Sequence, residues 1–275
     1  METTLISENL ERPYTVGRTT PGVLEEFLSE INTEQDRLAL VIPLMSYNWD
    51  DLLSQLPETG SWMIYRMFMK EHVRELANTI HDFGRYIISL SAWESVLKKM
   101  APEDKLDFLI EFISPLATLA LNMPYVLRSR FFYSIAHLSH QANRTCQNPW
   151  VDDLPPNKDI NFKKAGKFAG GWEKYDCLKQ ALEKISNQEY QDATHDFRNS
   201  YTHRYSPEIE VGLTDLGTRT VKGKTVSYVI GSTPPLMLCE IVPLLLEQHS
   251  FCVDAYEKYR NLINEQVVEI SKMGD

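Results

Sequence analysis

The sequence predicts a mainly α-helical fold, a helical bundle with one small β-hairpin inserted before the last helix. Three observations predict it. Hydrophobic residues make up 43% of the chain and aromatic residues 11%, as in globular proteins. Apolar residues recur at three- and four-residue steps over most of the chain. Alternating, β-branched sequence is confined to residues 207–233. No linker is long enough to separate two domains, so we expect a single domain overall.

The net charge and the cysteines exclude several classes of function. A protein with a formal charge of −10 does not coat nucleic acid or an anionic membrane with its whole surface, although a local basic site remains compatible. The four cysteines are widely spaced and form no CxxC pair, which is typical of reduced, structural cysteines. We therefore expect no bound metal and no cofactor.

The sequence also indicates where the protein resides. Its N-terminus has no basic region followed by an apolar run, so no secretory signal is visible. The most apolar stretch, residues 106–127, is interrupted by charged residues and prolines, whereas a membrane span needs roughly 20 nearly uninterrupted apolar residues. We expect a buried helix pair there, in a soluble cytoplasmic protein that does not engage a membrane.

Residues 1–60 are predicted to form an N-terminal arm and helices that pack on the core. Residues 1–19 are polar and unpatterned, which is typical of a mobile arm. Thr20-Pro21 has the pattern of a helix start, a capping hydroxyl followed by a proline in the first turn. Apolar residues follow at helical spacing, with Asn32-Thr33 marking a point where the helix could break, before a loop at 56–61.

Residues 61–275 are predicted to form the bundle itself. The stretch 61–100 has the longest helical signal, a single apolar stripe at three- and four-residue steps. Pro102 opens a further helix with acidic residues in its first turn. Pro115 and Pro124 are expected to divide or kink the helix that follows.

The second half of the bundle is predicted in four parts. Residues 147–171 read as a long loop because of their proline, glycine and asparagine content. Helical pattern resumes from Trp172 to about Thr202. Lys222-Gly223 marks the turn of the hairpin. The last helix follows Pro234-Pro235 and runs to about Ile270.

Familiar catalytic and metal motifs are absent from the sequence. It contains no phosphate-binding loop, no GxSxG and no HExxH. His137 and His140 could face the same way on one helix, but no third metal ligand is identifiable, so we expect both in or beside the core. His81, Asp82 and Arg85 fit ordinary pairing on a helix surface.

One stretch, HDFRNSYTHRYSP at 195–207, concentrates side chains that transfer protons and bind phosphate. Within it, RNSYTH at 198–203 places four residues between an arginine and a histidine. This order resembles the signature of the HEPN superfamily (higher eukaryote and prokaryote nucleotide-binding domains). In that signature an arginine, commonly followed by a polar residue such as asparagine, precedes a histidine by four to six intervening residues. The resemblance extends over 61–275, but only the six-residue motif is specific.

The resemblance implies a function and a set of site residues. It implies a metal-independent endoribonuclease of stress response or phage defence that cleaves single-stranded RNA by attack of the 2′-hydroxyl. Arg198, His203 and Asn199 would be catalytic. A homodimer is expected, and an antitoxin or another protein is a candidate partner. The alternative is a non-catalytic nucleotide-binding or protein-interaction module of the same fold, and a third reading is a purely structural helical protein.

The chemistry of the two side chains supports the resemblance independently. An imidazole accepts or donates a proton near neutral pH, which suits a general base or acid. A guanidinium is always charged and offers a planar fork of donors to a phosphate or to the phosphorane formed from it. A second pair with an allowed spacing, Arg130 and His137, has Phe131 after the arginine, and we interpret it as a coincidence within a packed helix.

The spacing within the motif presents a geometric difficulty. On a regular helix, five residues separate Arg198 and His203 by about 140°. Two arrangements could bring them to one phosphate. The helix could unwind near Thr202, since Pro207 disfavours helical geometry just ahead of it. Alternatively, two chains could share the site across a two-fold axis. The structural reading remains: an arginine on a carboxylate such as Asp196 and a histidine at the last carbonyls of a helix.

Substrate contacts are predicted within the motif, directly after it, and in the predicted loop at 147–171. Tyr201 and Arg204 adjoin the catalytic candidates. The segment 157–170 interleaves basic and aromatic residues, which suits phosphates and stacked bases. The lysines of this predicted RNA platform are Lys158, Lys163, Lys164 and Lys167. The alternative is a solvated loop whose two phenylalanines, Phe162 and Phe168, are tucked into the core.

Overall fold

The computed structural model describes residues 21–58 and 60–273 and confirms the predicted fold class. Within these residues the chain is mainly helical, with one two-stranded antiparallel sheet immediately before the last helix. The predicted arm at residues 1–19 and the capping residue Thr20 lie outside the described residues.

The N-terminal helices pack on the bundle. Helix α1 (Pro21–Leu38) continues through Asn32-Thr33 without a break and is followed by the short helix α2 (Asp50–Leu53). α1 lies against the longest helix of the first half, α3 (Met63–Lys99), where Phe27 stacks on Trp93 with ring centroids 4.1 Å apart. These aromatic contacts hold the N-terminal segment to the core.

Helix α3 begins within the predicted range and leads into a nearly continuous helical run. The elements of this run are α4 (Pro102–Phe108), a π-helical turn (Leu109–Ile113) and α5 (Ser114–Ala142). Pro115 occupies the first turn of α5, where its missing N–H is not needed, and Pro124 lies inside the helix. The prolines therefore leave α5 intact, and the irregularity is the π turn ahead of Pro115.

The predicted loop at 147–171 is wrong for its last third. After an irregular segment and a 3₁₀ turn at Asn157–Asp159, helix α6 spans Phe162–Ala169. Its N-cap is Asn161, whose side-chain oxygen accepts a hydrogen bond from the backbone N–H of Lys164. Capping and burial of one apolar side outweigh the helix-breaking tendency of Gly166.

The helical pattern predicted from Trp172 to about Thr202 is confirmed, and the structure divides it into three short helices. They are α7 (Tyr175–Lys184), α8 (Gln188–Ala193) and α9 (Phe197–His203). Ser186, His195 and Asp196 adopt left-handed backbone conformations with φ of 49°, 52° and 53°. Such residues interrupt a right-handed helix, and polar side chains tolerate them best.

The hairpin and the last helix are confirmed. β1 (Gly217–Lys222) pairs with β2 (Thr225–Ile230). The turn is Gly223-Lys224, one residue later than the predicted Lys222-Gly223, because Lys222 pairs with Thr225 and the left-handed turn position is taken by Gly223 at a φ of 62°. The first part of the alternating stretch 207–233 forms no strand: residues 208–213 contribute only an isolated bridge between Ile209 and Leu236. Helix α10 (Leu238–Ser271) then packs against α3, α5 and α7.

One helical stretch, Asp104–Thr145, is long and apolar enough by length and composition to cross a membrane. In the structure its second half is a core helix: α5 packs against α3, α6 and α10, and Phe131 and Ile135 are completely buried. This packing agrees with the prediction of buried helix in this stretch. The high hydropathy of the stretch is therefore only weak evidence for a membrane span.

Two buried histidines make the stability of the fold depend on pH. Burial, as the largest cause, lowers the pKa of His249 and of His72 from 6.5 to about 4. Both imidazoles are therefore neutral in the folded protein at pH 7, whereas the unfolded chain binds protons at both as the pH falls below 6.5. The contribution to stability is complete above pH 6.5 and is lost as the pH falls towards 4.

We expect the free energy of unfolding to drop between pH 6.5 and pH 4 by roughly 3 kcal/mol per buried histidine at most. His249→Gln should flatten this part of the profile, because it removes one of the two histidines with the most strongly lowered pKa. Urea titrations at closely spaced pH values measure it. The exposed His203→Gln variant is the control and should follow the wild-type profile. An unchanged slope in His249→Gln would show that this imidazole does not couple folding to protons.

Gly84 is a position of tight packing in α3. A Cβ built on Gly84 would lie 2.5 Å from Cγ2 of Ile42 and 3.2 Å from Nε2 of His249. Gly84→Ala should destabilise the protein by about 1–3 kcal/mol, because overpacking outweighs the gain in helix propensity. Gly22→Ala in α1, where nothing lies within 4 Å of the added atom, is the matched control and should not be destabilising. Thermal denaturation of the two variants makes the comparison.

Candidate functional site

The motif at 198–203 lies on α9, a seven-residue helix at the edge of the bundle. Two consecutive left-handed residues, His195 and Asp196, turn the chain out of α8. Phe197 and Ser200 are buried and fix the inner side of the helix against the bundle. α9 contacts α5, so the motif has a rigid support on one side and solvent on the other.

Arg198 faces α5 rather than open solvent. Its guanidinium carbon lies 3.7 Å from the centre of the Tyr125 ring, which is a close cation–π stack. The side chain is half-buried. One face of the guanidinium is therefore covered by the ring.

His203 is the last residue of α9 and is exposed. Within the part of the chain that the structure describes, its side chain makes no hydrogen bond or ion pair. It is therefore open to a ligand or to a second protein chain.

Of the two arrangements that could bring Arg198 and His203 together, unwinding near Thr202 is not observed, since α9 continues to His203. The hydroxyl of Thr202 donates to the backbone oxygen of Arg198 at 2.8 Å, a bond that belongs to a regular helical turn. Arg198 and His203 thus remain about 140° apart around one helix. A single chain does not direct both side chains at one phosphate.

The other motif residues are engaged with one another. Nδ2 of Asn199 donates to Oδ2 of Asp196 at 3.0 Å. Arg204 donates to the hydroxyl of Ser200 at 3.1 Å and lies 3.7 Å from the same carboxylate oxygen of Asp196. Asn199 therefore orients Asp196 and the N-terminal end of α9, and among the described residues its side chain forms no hydrogen bond with the side chain of Arg198 or His203. This network stiffens the start of the helix.

Tyr201 lies on the outer side of α9 with 57% of its surface exposed. Its ring is nearly parallel to that of Phe197, at an angle of 6° and a centroid distance of 6.1 Å. An exposed ring supported in this way can stack on a base or pack in a protein interface.

The lysines of the predicted RNA platform lie on or beside α6 and are exposed. Lys163 and Lys164 begin the helix, and Lys167 forms an ion pair with Asp153. Phe168 is buried and Phe162 packs on Phe132 at 5.3 Å, as the alternative interpretation proposed. The segment is therefore a basic surface without a free aromatic platform.

A separate polar cluster lies in a cleft between α3 and α5 that sequence reasoning missed. The cleft has a volume of about 230 Å³. It is lined by aromatic and apolar side chains at its base and by charges of both signs at its rim: Phe68, Glu71, His72, Glu75, Leu76, Arg130, Tyr133 and Ser134. Tyr133 follows Tyr125 by eight residues on α5, which corresponds to about 12 Å along the helix. The cleft is therefore distinct from the α9 site.

His72 forms the wall of this cleft. Its ring stacks on Phe68 at 5.5 Å and contacts Tyr133 at 5.4 Å and His137 at 6.1 Å. Its Nδ1 atom is buried without a hydrogen-bond partner. Since burial lowers the pKa of His72 to about 4, the ring offers one neutral donor or acceptor at pH 7.

The charges at the rim of the cleft do not favour a phosphodiester. Glu71 and Glu75 bring two carboxylates to the α3 side. Arg130, the one arginine among the lining residues, donates to the hydroxyl of Thr79. With one neutral imidazole and an excess of carboxylates, the cleft suits a small uncharged or zwitterionic ligand better than RNA.

The histidine pair on α5 is structural, as expected. His137 and His140 are 9% and 2% exposed. Nε2 of His137 contacts Oδ1 of Asn157 at 3.2 Å, and Nε2 of His140 contacts Oδ1 of Asp152 at 3.0 Å. Among the described residues, no group of three His, Cys, Asp or Glu side chains could hold a metal ion.

The other charged and histidine side chains singled out in the sequence have ordinary partners in the bundle. Arg85 pairs with Asp82 on the surface of α3, as expected. Nε2 of His81 accepts a hydrogen bond from the backbone N–H of Met45. Arg130 and His137 have different neighbours, Thr79 for the arginine and Asn157 for the histidine.

No local pattern in the sequence could have identified the cleft, because its walls lie far apart along the chain. A weak signal is the helical spacing of Phe68, His72 and Leu76, which places a histidine in the apolar stripe of α3. Its partner Tyr133 comes from α5, and only the packing of the two helices joins them.

The chain was compared with family models, with curated proteins and with solved structures, and none of them matches it. The function is therefore inferred from the side chains themselves.

The Arg198–Tyr125 stack has a measurable effect on stability. Arg198→Ala should lower the free energy of unfolding by about 0.5–1 kcal/mol, the usual range for an exposed cation–π contact. A double-mutant cycle with Tyr125→Leu isolates the pair, and the coupling should account for most of that loss. Arg219→Ala on the exposed hairpin is the control and should change stability by less than about 0.5 kcal/mol. A coupling near zero would mean that the stack does not hold α9 to α5.

Proposed function

We propose that this protein is a HEPN-like, metal-independent endoribonuclease of the cytoplasm that cleaves single-stranded RNA in stress response or phage defence. The observation that carries the proposal is the exposed position of His203 at the end of α9, on the same short helix as Arg198. An imidazole can move the protons of RNA cleavage, and a guanidinium can stabilise the charge that develops on the phosphorus oxygens, without a metal.

The proposed reaction uses the nucleophile of the RNA itself. His203 takes the proton of a 2′-hydroxyl while the 2′-oxygen forms a bond to the adjacent phosphorus. The bond from phosphorus to the 5′-oxygen breaks, and the leaving oxygen takes a proton from an imidazolium or from water. Arg198 stabilises the negative charge of the phosphorane. The products are a 2′,3′-cyclic phosphate and a 5′-hydroxyl end.

The geometry of α9 supports a homodimer for this reaction. Because Arg198 and His203 diverge by about 140° on one helix, one phosphate meets both groups only if a second chain supplies one of them. Tyr201 and Tyr205 are 57% and 83% exposed beside the motif and offer apolar surface for such a contact. In the proposed dimer each His203 faces the partner's Arg198 across the two-fold axis.

The basic surface of α6 is the proposed outer contact for RNA. Lys163 and Lys164 are exposed and are suited to phosphates. Their role in binding is expected to depend on salt, since each phosphate contact releases counterions.

A second candidate function is a non-catalytic interaction module, which would bind a nucleotide or a protein. The observation in its favour is the hairpin, which exposes Tyr228 and Ile230 at 74% and 94%. Large exposed apolar side chains of this kind are typical of contact surfaces. In this alternative the motif on α9 would hold Tyr125 and Asp196 in place and have no catalytic role.

RNA cleavage in the presence of a chelator decides between the two functions. With labelled single-stranded RNA, the wild-type protein should produce cyclic-phosphate ends, and His203→Ala should reduce the rate at least about 100-fold, the usual effect of losing a general base. His195→Asn is the matched control, because it removes an exposed histidine and asparagine tolerates the left-handed backbone there. Its rate should equal that of the wild type.

Mixing inactive variants tests whether the site is shared. Arg198→Ala and His203→Ala should each be inactive alone, and equal amounts mixed together should recover part of the activity, because a mixed dimer contains one site with both groups. No recovery would exclude the shared site. No cleavage by the wild type, with retained binding of a nucleotide or protein, would favour the interaction module.

A further inference from the structure

The hairpin places most of its apolar side chains on one side. Cross-strand pairing places Val221 opposite Val226 and Tyr228 opposite Arg219, on the same side of the sheet as Ile230. Val229 lies on the other side with Thr218, Thr220 and Ser227, and the hydroxyls of Thr220 and Ser227 are 2.7 Å apart. We call the first side the apolar hairpin face, formed by Val221, Val226, Tyr228 and Ile230.

The apolar hairpin face is open to solvent. Val221 and Val226 are 53% and 46% exposed, and Tyr228 and Ile230 are 74% and 94% exposed. A hydrophobic hairpin of two strands is marginally stable in water by itself and gains most from packing against a further element. In the described part of the chain no helix packs on it, so a covering element would have to come from elsewhere.

The charge of the hairpin is opposite to that of the whole chain. Residues 217–230 contain Arg219, Lys222 and Lys224 and no acidic residue, whereas the chain as a whole carries −10. Arg219 lies within the apolar hairpin face, next to Tyr228 on the facing strand. A partner that covers this face therefore needs apolar side chains together with carboxylates.

Two other occupants fit this surface less well. A second copy packed face to face would bring a second Arg219 to the interface and no carboxylate from its hairpin, so both guanidinium groups would be covered without an acidic partner. Single-stranded RNA binds through stacking on aromatic rings, but three of the four members of the apolar hairpin face are aliphatic. The combination of an aliphatic face with a central guanidinium is typical of a protein interface.

We propose that the apolar hairpin face is a docking site for an acidic amphipathic helix of another protein. The apolar stripe of such a helix covers Val226, Tyr228 and Ile230, and its flanking carboxylates meet Arg219 and the basic turn. Two paired strands present a surface about 10 Å wide. A helix with its side chains has about the same diameter, so one helix can cover the face. This proposal does not rest on RNA cleavage, because it uses no residue of α9.

A pair of synthetic peptides tests the proposal directly. Each has about 15 residues, the length at which isolated helices begin to form in water. Both carry the same leucine stripe, and one has glutamate where the other has lysine. We expect the glutamate peptide to bind at least tenfold more tightly in fluorescence anisotropy, and to weaken as salt is added. NMR shifts should be confined to the amides of β1, β2 and the turn.

Variants on the two faces of the hairpin provide the controls. Tyr228→Ser and Ile230→Ser should each weaken binding at least fivefold, and Arg219→Gln should reduce the preference for the glutamate peptide. Ser227→Ala and Thr218→Ser, on the polar face, should bind as the wild type does. Circular dichroism of each variant confirms the intact bundle, which does not depend on the exposed hairpin.

Four results would overturn the proposal. They are equal affinity for the two peptides, no binding at millimolar peptide, loss of binding in the polar-face variants, and shifts outside the hairpin. Displacement of the peptide by single-stranded RNA, with Arg219→Gln weakening the RNA, would assign the surface to RNA instead. None of these results depends on whether the protein cleaves RNA.

Discussion

Burial of α3 on three sides is the constraint on which the rest of the structure depends. α1, α5 and α10 all pack on this helix, so its polar side chains must find partners inside the bundle. The hydroxyl of Tyr65 donates to Oε1 of Gln266 at 2.8 Å, and Nε2 of Gln266 donates to the hydroxyl of Ser139 at 2.9 Å. This buried chain links α3, α10 and α5 and sets their positions along one another, since a shift of α10 would break both hydrogen bonds.

The same packing creates the cleft that holds His72. Arg130 of α5 donates a hydrogen bond to Thr79, near the middle of α3. Tyr133, which comes later in α5, contacts His72, which comes two turns earlier in α3. The two helices therefore run in opposite directions. Where their side chains diverge, a polar-rimmed cleft remains, and a buried imidazole nitrogen is left unpaired in its wall. The cleft is thus a consequence of helix packing rather than of any sequence motif.

The sequence was informative where a single physical effect dominates. The apolar period is sufficient to locate α3 and α10, and β-branched alternation around Gly223 is sufficient to locate the hairpin. It failed where local effects compete. Gly166 suggested a loop, but the Asn161 cap and the buried Phe168 favour a helix, and no period in 172–202 reveals the left-handed backbone of His195 and Asp196. Features formed between helices, such as the Arg198–Tyr125 stack, have no sequence signal.

The segment between Phe197 and Leu238 leaves the bundle and returns to it. It carries both α9 and the apolar hairpin face. Its ends are fixed: Phe197 is buried at the start, and the carboxylate of Glu210 accepts a hydrogen bond from the backbone N–H of Leu238 at the end. The bridge between Ile209 and Leu236 closes the segment at its base. Because the core ends at these anchors, substitutions on α9 or on the hairpin change exposed chemistry with little cost to folding. The proposed catalytic helix end and the proposed docking hairpin therefore lie on the same segment of the chain, held between two fixed ends.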